Sequence, residues 1–578
     1  MSTQRRAISR NAAAAASGLL AGYAALAVAE LVSAAVRPEA SPVTAVGGAV
    51  VDRTPAPVKD WAIRAFGVHD KLVLQLGILA VLALCAMVLG VAALRFRRGA
   101  ALGVLGFGVL GAFAATGRPD STSVRDAVPA LAGAVVGTVV LHWLAGRLTA
   151  SHIATNGRAG SAAGGDGARE AGDPAADAST GASTDAAAHT AQAVRTLHAV
   201  HAPGAAPGDG GPGIGGPGRR GFLAGAGVVA VASTGAGLLG RRLNARTAAD
   251  AEASRAAVRL PAPASPAPEL PRGVDQRLPG VTPYRTSNRD FYRVDTALTV
   301  PRLDAGSWRL RIHGRGVTTP LTLGFDDLLR RRLIERDITM TCVSNEVGGP
   351  YVGSARWLGA PLAALLGEAG VRPPSRGGPA DQLVARSVDG MTIGTPVETV
   401  LDGRDALLAV GMNGEPLPFE HGFPVRMLVP GLYGYVSACK WIEDIELTTF
   451  DAYDTYWVER SWARRAPIKT ASRIDTPKPF ARLRGGPVVV AGVAWAQHKG
   501  IVRVEVRVDG GAWQDARLAA EGPLDTWRQW WWEWPARPGT HTVEVRATDR
   551  TGYTQTSERA RPVPDGASGL HSVVVTVA

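Results

Sequence analysis

Apolar residues are distributed along the chain in three regimes. Between residues 1 and 146 they form long blocks at 13–36, 72–94, 100–116 and 128–146, each of about 17 to 25 residues and so long enough to cross a bilayer as a helix. The third block is short and rich in glycine. A fifth block, 221–240, follows a stretch of alanine, glycine and proline. From about residue 270 the blocks give way to short runs broken by turn residues: Trp308 to Gly314 predicts a strand, Phe325 to Leu329 the start of a helix, and 363–369 a short helix. Past Pro479 only strand and hairpin patterns remain, at 488–495, at 501–508 before Asp509-Gly510-Gly511, and at 540–548 before Asp549 and Gly552. That spacing is the one expected of an immunoglobulin-like β-sandwich.

Charge orients the apolar blocks. Arg5, Arg6 and Arg10 precede the first, and Arg95, Arg97 and Arg98 separate the second from the third. Arginines collect on the cytoplasmic side of membrane helices, so both positions are placed there, and four crossings return the chain to the cytoplasm at Arg147. The segment 147–218 has too few large apolar residues to offset chain entropy and is expected to be a disordered cytoplasmic linker. It ends in Arg219-Arg220-Gly221-Phe222-Leu223, a run similar to a twin-arginine export signal; the other reading is a fifth anchor helix preceded by ordinary cytoplasmic arginines. Either places the C-terminal half outside, and Arg241, Arg242 and Arg246 count against that orientation. The expected organisation is a four-helix transmembrane region (1–146), the linker (147–218), the twin-arginine-like motif with a fifth transmembrane helix (219–240), a second linker (241–275), an α+β domain (276–470) and the sandwich (471–578).

The formal net charge of +12 does not point to nucleic acid. Only six of the 62 basic residues are lysines, an arginine skew shared by the whole chain, and no basic stripe interleaves with aromatics. The three cysteines are too few and too widely spaced for a disulfide framework or a zinc site. Cys85 lies in an apolar block, which leaves Cys342 and Cys439, for each of which a buried, inert thiol is the default. No CxxCH motif occurs. His142 is the one histidine well inside an apolar block and His69 lies at a boundary, whereas a bis-histidine haem needs facing pairs, so no haem is expected. The helices then serve as an anchor or as a docking site for a separate redox partner.

In Thr339-Met340-Thr341-Cys342-Val343-Ser344-Asn345-Glu346-Val347-Gly348-Gly349 a strand-like run breaks into a glycine-containing loop just after its cysteine. A strand end exposes a side chain, and a soft thiolate there can bind a metal, although this fragment by itself fits a buried structural cysteine better. Its surroundings alter the balance. The Thr-x-x-Cys-x-x-Asn pattern of Thr339, Cys342 and Asn345 is followed by Gly353-Ser354-Ala355-Arg356-Trp357-Leu358-Gly359. Then come His421-Gly422-Phe423-Pro424-Val425-Arg426-Met427-Leu428-Val429-Pro430-Gly431 and Lys440-Trp441. In this order and spacing the four segments resemble the sulfite oxidase family, over roughly residues 283–578, about half the chain.

The resemblance implies a molybdenum held by the dithiolene of a pterin and by one cysteine, so Cys342 becomes the expected metal ligand and a catalytic residue. Arg293, in Asp290-Phe291-Tyr292-Arg293-Val294-Asp295, falls where members carry an active-site arginine, the preorganised cation that an oxyanion requires. Asn345, Arg356, His421, Arg426 and Lys440 are implied as cofactor-binding residues; a planar guanidinium such as that of Arg426 suits the pterin phosphate. Two positions depart from the pattern: Asp295 stands where vertebrate-type members have histidine, and Val347 where they have arginine. Both departures weaken the expected grip on sulfite. Tyr433 and Tyr435 read equally as pocket lining or as packing, Cys439 reads as packing, and Lys499 lies near a place where members contribute an arginine from the second domain. The tryptophan-rich run from Trp527 to Trp534 reads as core and interface, in a domain the family uses to form homodimers.

The expected function is membrane-anchored, molybdenum-dependent oxygen-atom transfer of the sulfite oxidase kind, with a small oxyanion as substrate. The alternatives are reduction of sulfoxides or other S- and N-oxides on the same fold, and a cofactor-free extracellular binding module, against which the set Cys342, Arg426, Lys440 and His421 argues. The expected location is a multi-pass cell membrane protein with its catalytic half on the extracytoplasmic side.

Overall fold

A computed structural model describes residues 2–54, 58, 66, 70–118, 121, 123–160 and 219–578. His69 and all but the first part of the expected 147–218 linker lie outside these residues. The apolar blocks form helices α1 (Ser2–Val36), α3 (Asp70–Ala92), α4 (Arg97–Thr116), α5 (Val128–Gly160) and α6 (Arg219–Ala257), with a shorter helix α2 (Pro42–Arg53) after α1. Within them, five stretches are long and apolar enough to cross a membrane. Proline sets two of the ends: α1 stops before Arg37-Pro38, where Arg37 is extended as a residue preceding proline tends to be, and Pro42 occupies the first turn of α2.

Contacts divide the chain into two compact units, one taking in Met1–Ala25, Val81–Gly106 and Ala134–Gly235, the other Leu26–Ala80, Phe107–Gly133 and Ala236–Ala578. In the first, α1 and α3 cross on glycines. A Cβ at Gly18 would collide with the Ala86 carbonyl, and one at Gly90 with the Ala14 carbonyl. In the absence of water such close backbone approach is what holds apolar helices together, and Ala21, Ala93, Ala100, Leu141 and Ala145 complete this small-residue core.

The second unit holds the globular part. Two helices run past their expected ends. Helix α5 extends to Gly160, into what was expected to be linker, and α6 continues to Ala257 through a segment also expected to be linker. The reason for the second is local: residues 245–257 are rich in alanine with Arg and Glu, all strong helix formers, and none is Gly or Pro. The end of α6 is fixed onto the globular domain. Ala251 is buried in its core, Ser254 accepts a hydrogen bond from the Ala305 amide at 3.0 Å, and the Arg255 guanidinium donates to the carbonyls of Leu417 and Pro416, both at 2.7 Å.

The α+β domain contains two sheets. One has the order β2 (Leu321–Gly324), β1 (Arg309–Gly314), β10 (Ile442–Thr448), β5 (Gln382–Ser387) and β6 (Thr392–Pro396), all antiparallel except for the β1–β10 pair. The other has the order β3 (Ile334–Thr341), β4 (Val352–Pro361), β7 (Leu407–Met412) and β8 (Glu415–Pro416), with β9 (Arg426–Leu428) paired to β7. One core unites both sheets, and Trp357 and Phe423 are among its fully buried side chains.

The C-terminal region is all β. The sheet of β11 (Ala471–Thr476), β13 (Gly486–Trp495), β17 (Arg528–Ala536) and β16 (Arg517–Leu518) accompanies a sheet of β12 (Arg482–Leu483), β19 (His571–Val577), β18 (Gly539–Asp549), β14 (Ile501–Val508) and β15 (Gln514–Asp515). Val490, Val504, Val543 and Val575 from these sheets meet in a core of their own. Alternation along β17 sends Trp530 and Trp534 into it. Trp527, just before β17, joins the core of the α+β domain instead: its indole donates to the Tyr284 carbonyl at 2.8 Å and its amide to Thr339 Oγ1 at 2.9 Å. The tryptophan run therefore ties the two globular domains of one chain together as well as filling the sandwich.

Candidate active site

Strand β3 buries five consecutive residues at its C-terminal end and delivers Cys342 to a turn. The Cys342 amide still bonds the Tyr351 carbonyl (2.9 Å), after which the chain folds back: the Asn345 amide donates to the Cys342 carbonyl (3.1 Å) and Asn345 Oδ1 accepts from the Tyr351 amide (2.8 Å). Asn345 thus closes the loop that presents the thiol. Cys342 Sγ lies 2.9 Å from Ser344 Oγ; burial pushes the thiol pKa up, against the hydrogen bond from Ser344 and the charge of Lys440.

The thiol opens into a cavity of about 810 Å³ that Tyr292, Asp295, Arg426, Tyr435, Lys440, Trp457 and Trp462 also line. Arg426, at the start of β9, is 7% exposed. One guanidinium nitrogen reaches the His421 carbonyl at 3.3 Å, the group stands over the Trp357 ring at 5.4 Å, and the buried Nε has no hydrogen-bond partner. Burial lowers its pKa to about 10, so it stays charged at neutral pH. A buried cation with an unmet donor is costly unless an anion completes it. Lys440 is brought beside it by Gly422, whose φ of +110° and 3.1 Å approach to the Lys440 Cα and Cβ leave no room for a side chain. Burial pushes Lys440 down to about 8, against the pull of the Asp295 carboxylate, which accepts from Nζ at 2.8 Å; Nζ also donates to the Glu420 carbonyl at 3.3 Å.

The other expected residues are placed differently. Arg293 turns its guanidinium to Asp295 (Nε to Oδ2, 2.7 Å) and reaches the cavity only through that carboxylate. His421 is buried beside Arg426, but its ring bonds the Asn288 carbonyl at 2.8 Å and meets the edge of Phe291, outside the lining; burial lowers its pKa to about 4. Arg356 is outside that lining and pairs with Asp337 at 2.8 and 3.1 Å, because the antiparallel register of β3 and β4 sets the two residues directly opposite. Arg285 completes that pair from the far side of the carboxylate. Tyr435 lines the cavity, with its hydroxyl donated to the Ala463 carbonyl (2.6 Å), whereas Tyr433 lines a separate, smaller pocket with Val347 and Lys469. Cys439 is buried, its thiol pKa pushed well up by that burial. Lys499 faces Asp549 at 3.6 Å.

Two features of the site went unread in the sequence. Asp295 registered only as a departure, yet it bridges Arg293 and Lys440. The aromatic wall of Trp457 and Trp462 comes from irregular chain after β10, where neither periodicity nor motif marks it.

A family model for the oxidoreductase molybdopterin binding domain matches residues 297–457, which contain Cys342, Arg426 and Lys440. The sulfite oxidase of Gallus gallus is 30% identical over 326 residues, 48% of this chain and 70% of that protein. The chain belongs to the sulfite oxidase family. Mitochondrial sulfite oxidase of Homo sapiens is 28% identical over 326 residues, covering 48% of this chain and 58% of that one. Against the mitochondrial sulfite oxidases of Rattus norvegicus and Mus musculus the chain spans about half of their length, 55% and 52%. Among solved structures, the sulfane dehydrogenase SoxCD from Paracoccus pantotrophus is 26% identical with a TM-score of 0.44, over 51% of this chain and 83% of that one. The sulfite oxidase family is one of molybdopterin-dependent oxidoreductases, and its molybdopterin-binding domain implies a molybdenum cofactor. The residues around Cys342 suit one: a half-buried thiol, and next to it an incompletely bonded, buried guanidinium.

Proposed function

We propose that the chain is a membrane-anchored oxidoreductase that transfers an oxygen atom to or from a small substrate in the Cys342 cavity, in the manner of sulfite oxidase. The observation that carries this is the buried, partly unbonded Arg426 sharing one cavity with Cys342. In this reading Cys342 is the thiolate ligand, Arg426 and Lys440 hold the anionic part of the pterin, and His421 fixes the Arg426 loop through its carbonyl. Asn345 keeps the thiol loop closed, and Arg293 orients Asp295. When bound, the cofactor supplies two-electron oxygen-atom chemistry. The protein binds and orients the reactants, and the walls formed by Tyr435, Trp457 and Trp462 exclude water.

Five apolar helices, and the docking of the last of them onto the α+β domain through Ala251 and Arg255, support an anchored enzyme. The distribution of arginines supports a multi-pass arrangement with the catalytic half outside the cytoplasm, and Arg219-Arg220 supports export through a folded-protein route. Electrons then pass to or from a separate redox partner. We read the C-terminal sandwich as immunoglobulin-like and as a homodimer surface.

A second reading, reduction of a sulfoxide or another S- or N-oxide, is favoured by the aromatic wall and by Met391 in the same lining. Metal analysis of protein made in cells competent for the cofactor tests the first step: about one molybdenum per chain is expected, and under about a tenth refutes the enzyme reading in favour of a binding module. Assays with sulfite and an artificial acceptor, set against methionine sulfoxide and a reduced dye, separate the two substrates. Replacing Arg219 and Arg220 with lysine should leave the catalytic half inside the cell; unchanged exposure would refute the export route.

A further inference from the structure

We propose that Asp295 sets the charge class of the substrate, engaging both Arg293 and Lys440 and cancelling one unit of their charge so that the Cys342 cavity favours an uncharged oxide over a dianion such as sulfite. The inference rests on the reading of this cavity as the site of oxygen transfer. The Asp295 side chain is 3% exposed and lines the cavity beside Cys342. One of its oxygens accepts from both Arg293 Nε (2.7 Å) and Lys440 Nζ (2.8 Å), and the other lies 3.4 Å from Arg293 Nη2. Two cations are thus spent on one carboxylate.

The rest of the lining does not restore a positive field. Its cations are Arg426 and Lys440 and its carboxylates Asp295 and Asp389, so its formal charge is zero, and Arg426 is committed to the cofactor. Asp389 is held by a contact of 3.4 Å from Thr296 Oγ1. A dianion entering this cavity finds the two cations of the lining matched by two carboxylates, so no net positive charge offsets its loss of water in a partly dry space. A net-neutral oxide meets aromatic faces and Met391 and pays no such cost. Without Asp295, Arg293 loses its counter-ion and Lys440, shared with the cofactor, loses one of its partners, so the surroundings of the thiol gain a unit of positive charge, as an oxyanion requires.

The test compares full-length wild type, Asp295→Asn and Asp295→Glu, each with its molybdenum content measured. Calorimetric titration with inorganic sulfate reads the charge effect directly, and KM for methionine sulfoxide, which carries no net charge, reads general damage. The Asn variant should bind sulfate about tenfold or more tightly than wild type, as expected for the loss of one nearby unit charge. Its KM for the sulfoxide should change by a smaller factor than its sulfate affinity, and the Glu variant, which keeps the charge and adds one methylene, should shift sulfate binding far less than Asn. Sulfate binding by a fully loaded Asn variant that matches wild type would overturn the proposal, as would a Glu variant that shifts as far as Asn. Should the Asn variant load poorly, the same titration of all three cofactor-free chains decides by the same criteria. A wild type without molybdenum overturns the proposed function instead, and the sulfate titrations still decide the role of Asp295.

Discussion

Two arginines of the family motifs, Arg356 and Arg426, lie in strands β4 and β9 of one sheet, both of which pair with β7, and meet opposite surroundings. Arg356 on β4 faces Asp337 across the β3–β4 ladder and shares it with Arg285, so its charge is spent inside the fold. Arg426 on β9 has no carboxylate opposite; its strand partner is Ala409, and its Nε is buried without a hydrogen bond. The first arrangement is complete without a ligand and the second is not. An unmet donor in a cavity is what singles out Arg426 as the proposed binding residue, and membership of a motif does not distinguish the two cases.

The largest effect should come from the cavity side. Cys342→Ser removes the proposed soft ligand but leaves Arg426 and Lys440, so turnover should fall by about 1,000-fold or more while pterin content stays near wild type. Steady-state assays combined with pterin fluorescence check it; loss of the whole cofactor would show that the thiol, and not Arg426, provides the anchor. On the opposite side, Asp337→Asn strands two guanidinium groups against a buried site and should cost about 3–5 kcal/mol in denaturant unfolding, with the cofactor retained by the surviving folded protein. Arg426→Met should invert that result. Removing a buried, partly unbonded cation costs the empty fold little, but the cofactor loses a charge-assisted contact of about 2–5 kcal/mol, so molybdenum content should drop steeply while the melting temperature of cofactor-free protein holds or rises. If both variants lost stability and cofactor together, the contrast between the two arginines would fail.

Much of this was legible in the sequence, for identifiable reasons. The membrane-length helices follow from uninterrupted apolar blocks, and the strands β13, β14 and β18 fall within a residue or two of the runs at 488–495, 501–508 and 540–548. Cys342, Arg426 and Lys440 were grouped by the family resemblance of their motifs, and they line one cavity. What stayed hidden depends on pairing between distant residues. The direction of Arg356 is decided by the β3–β4 register, and the parallel partnership of β1 with β10 joins residues about 130 apart, such as Arg311 and Asp444. The last turns of α6 were missed because an alanine-rich polar segment has no apolar stripe, although it buries Ala251. Asp295 is informative only through its partners, and Lys440 comes from a segment far along the chain.

His421 sharpens the comparison with a smaller effect. It belongs to the same motif as Arg426, yet its ring is satisfied by the Asn288 carbonyl and buried against Phe291, which places it with Arg356 on the completed side. Burial holds its pKa at about 4 in the fold, whereas an unfolded histidine titrates near 6.5. The folded state therefore binds fewer protons between those values, and its contribution to stability is fully present above about pH 6.5 and is lost as pH falls toward 4, to a limit of about 3 kcal/mol. His571 in the sandwich is likewise lowered to about 4 by burial, so the whole chain carries a background of the same sign. The informative measurement is the difference between wild type and His421→Gln. Unfolding free energy followed from pH 7.5 to 4.5 should fall less steeply in the variant, which can keep a side-chain donor to Asn288 but cannot take up a proton. Parallel curves for the two proteins would mean that His421 is reached by water and belongs with the open side of the site, beside Arg426.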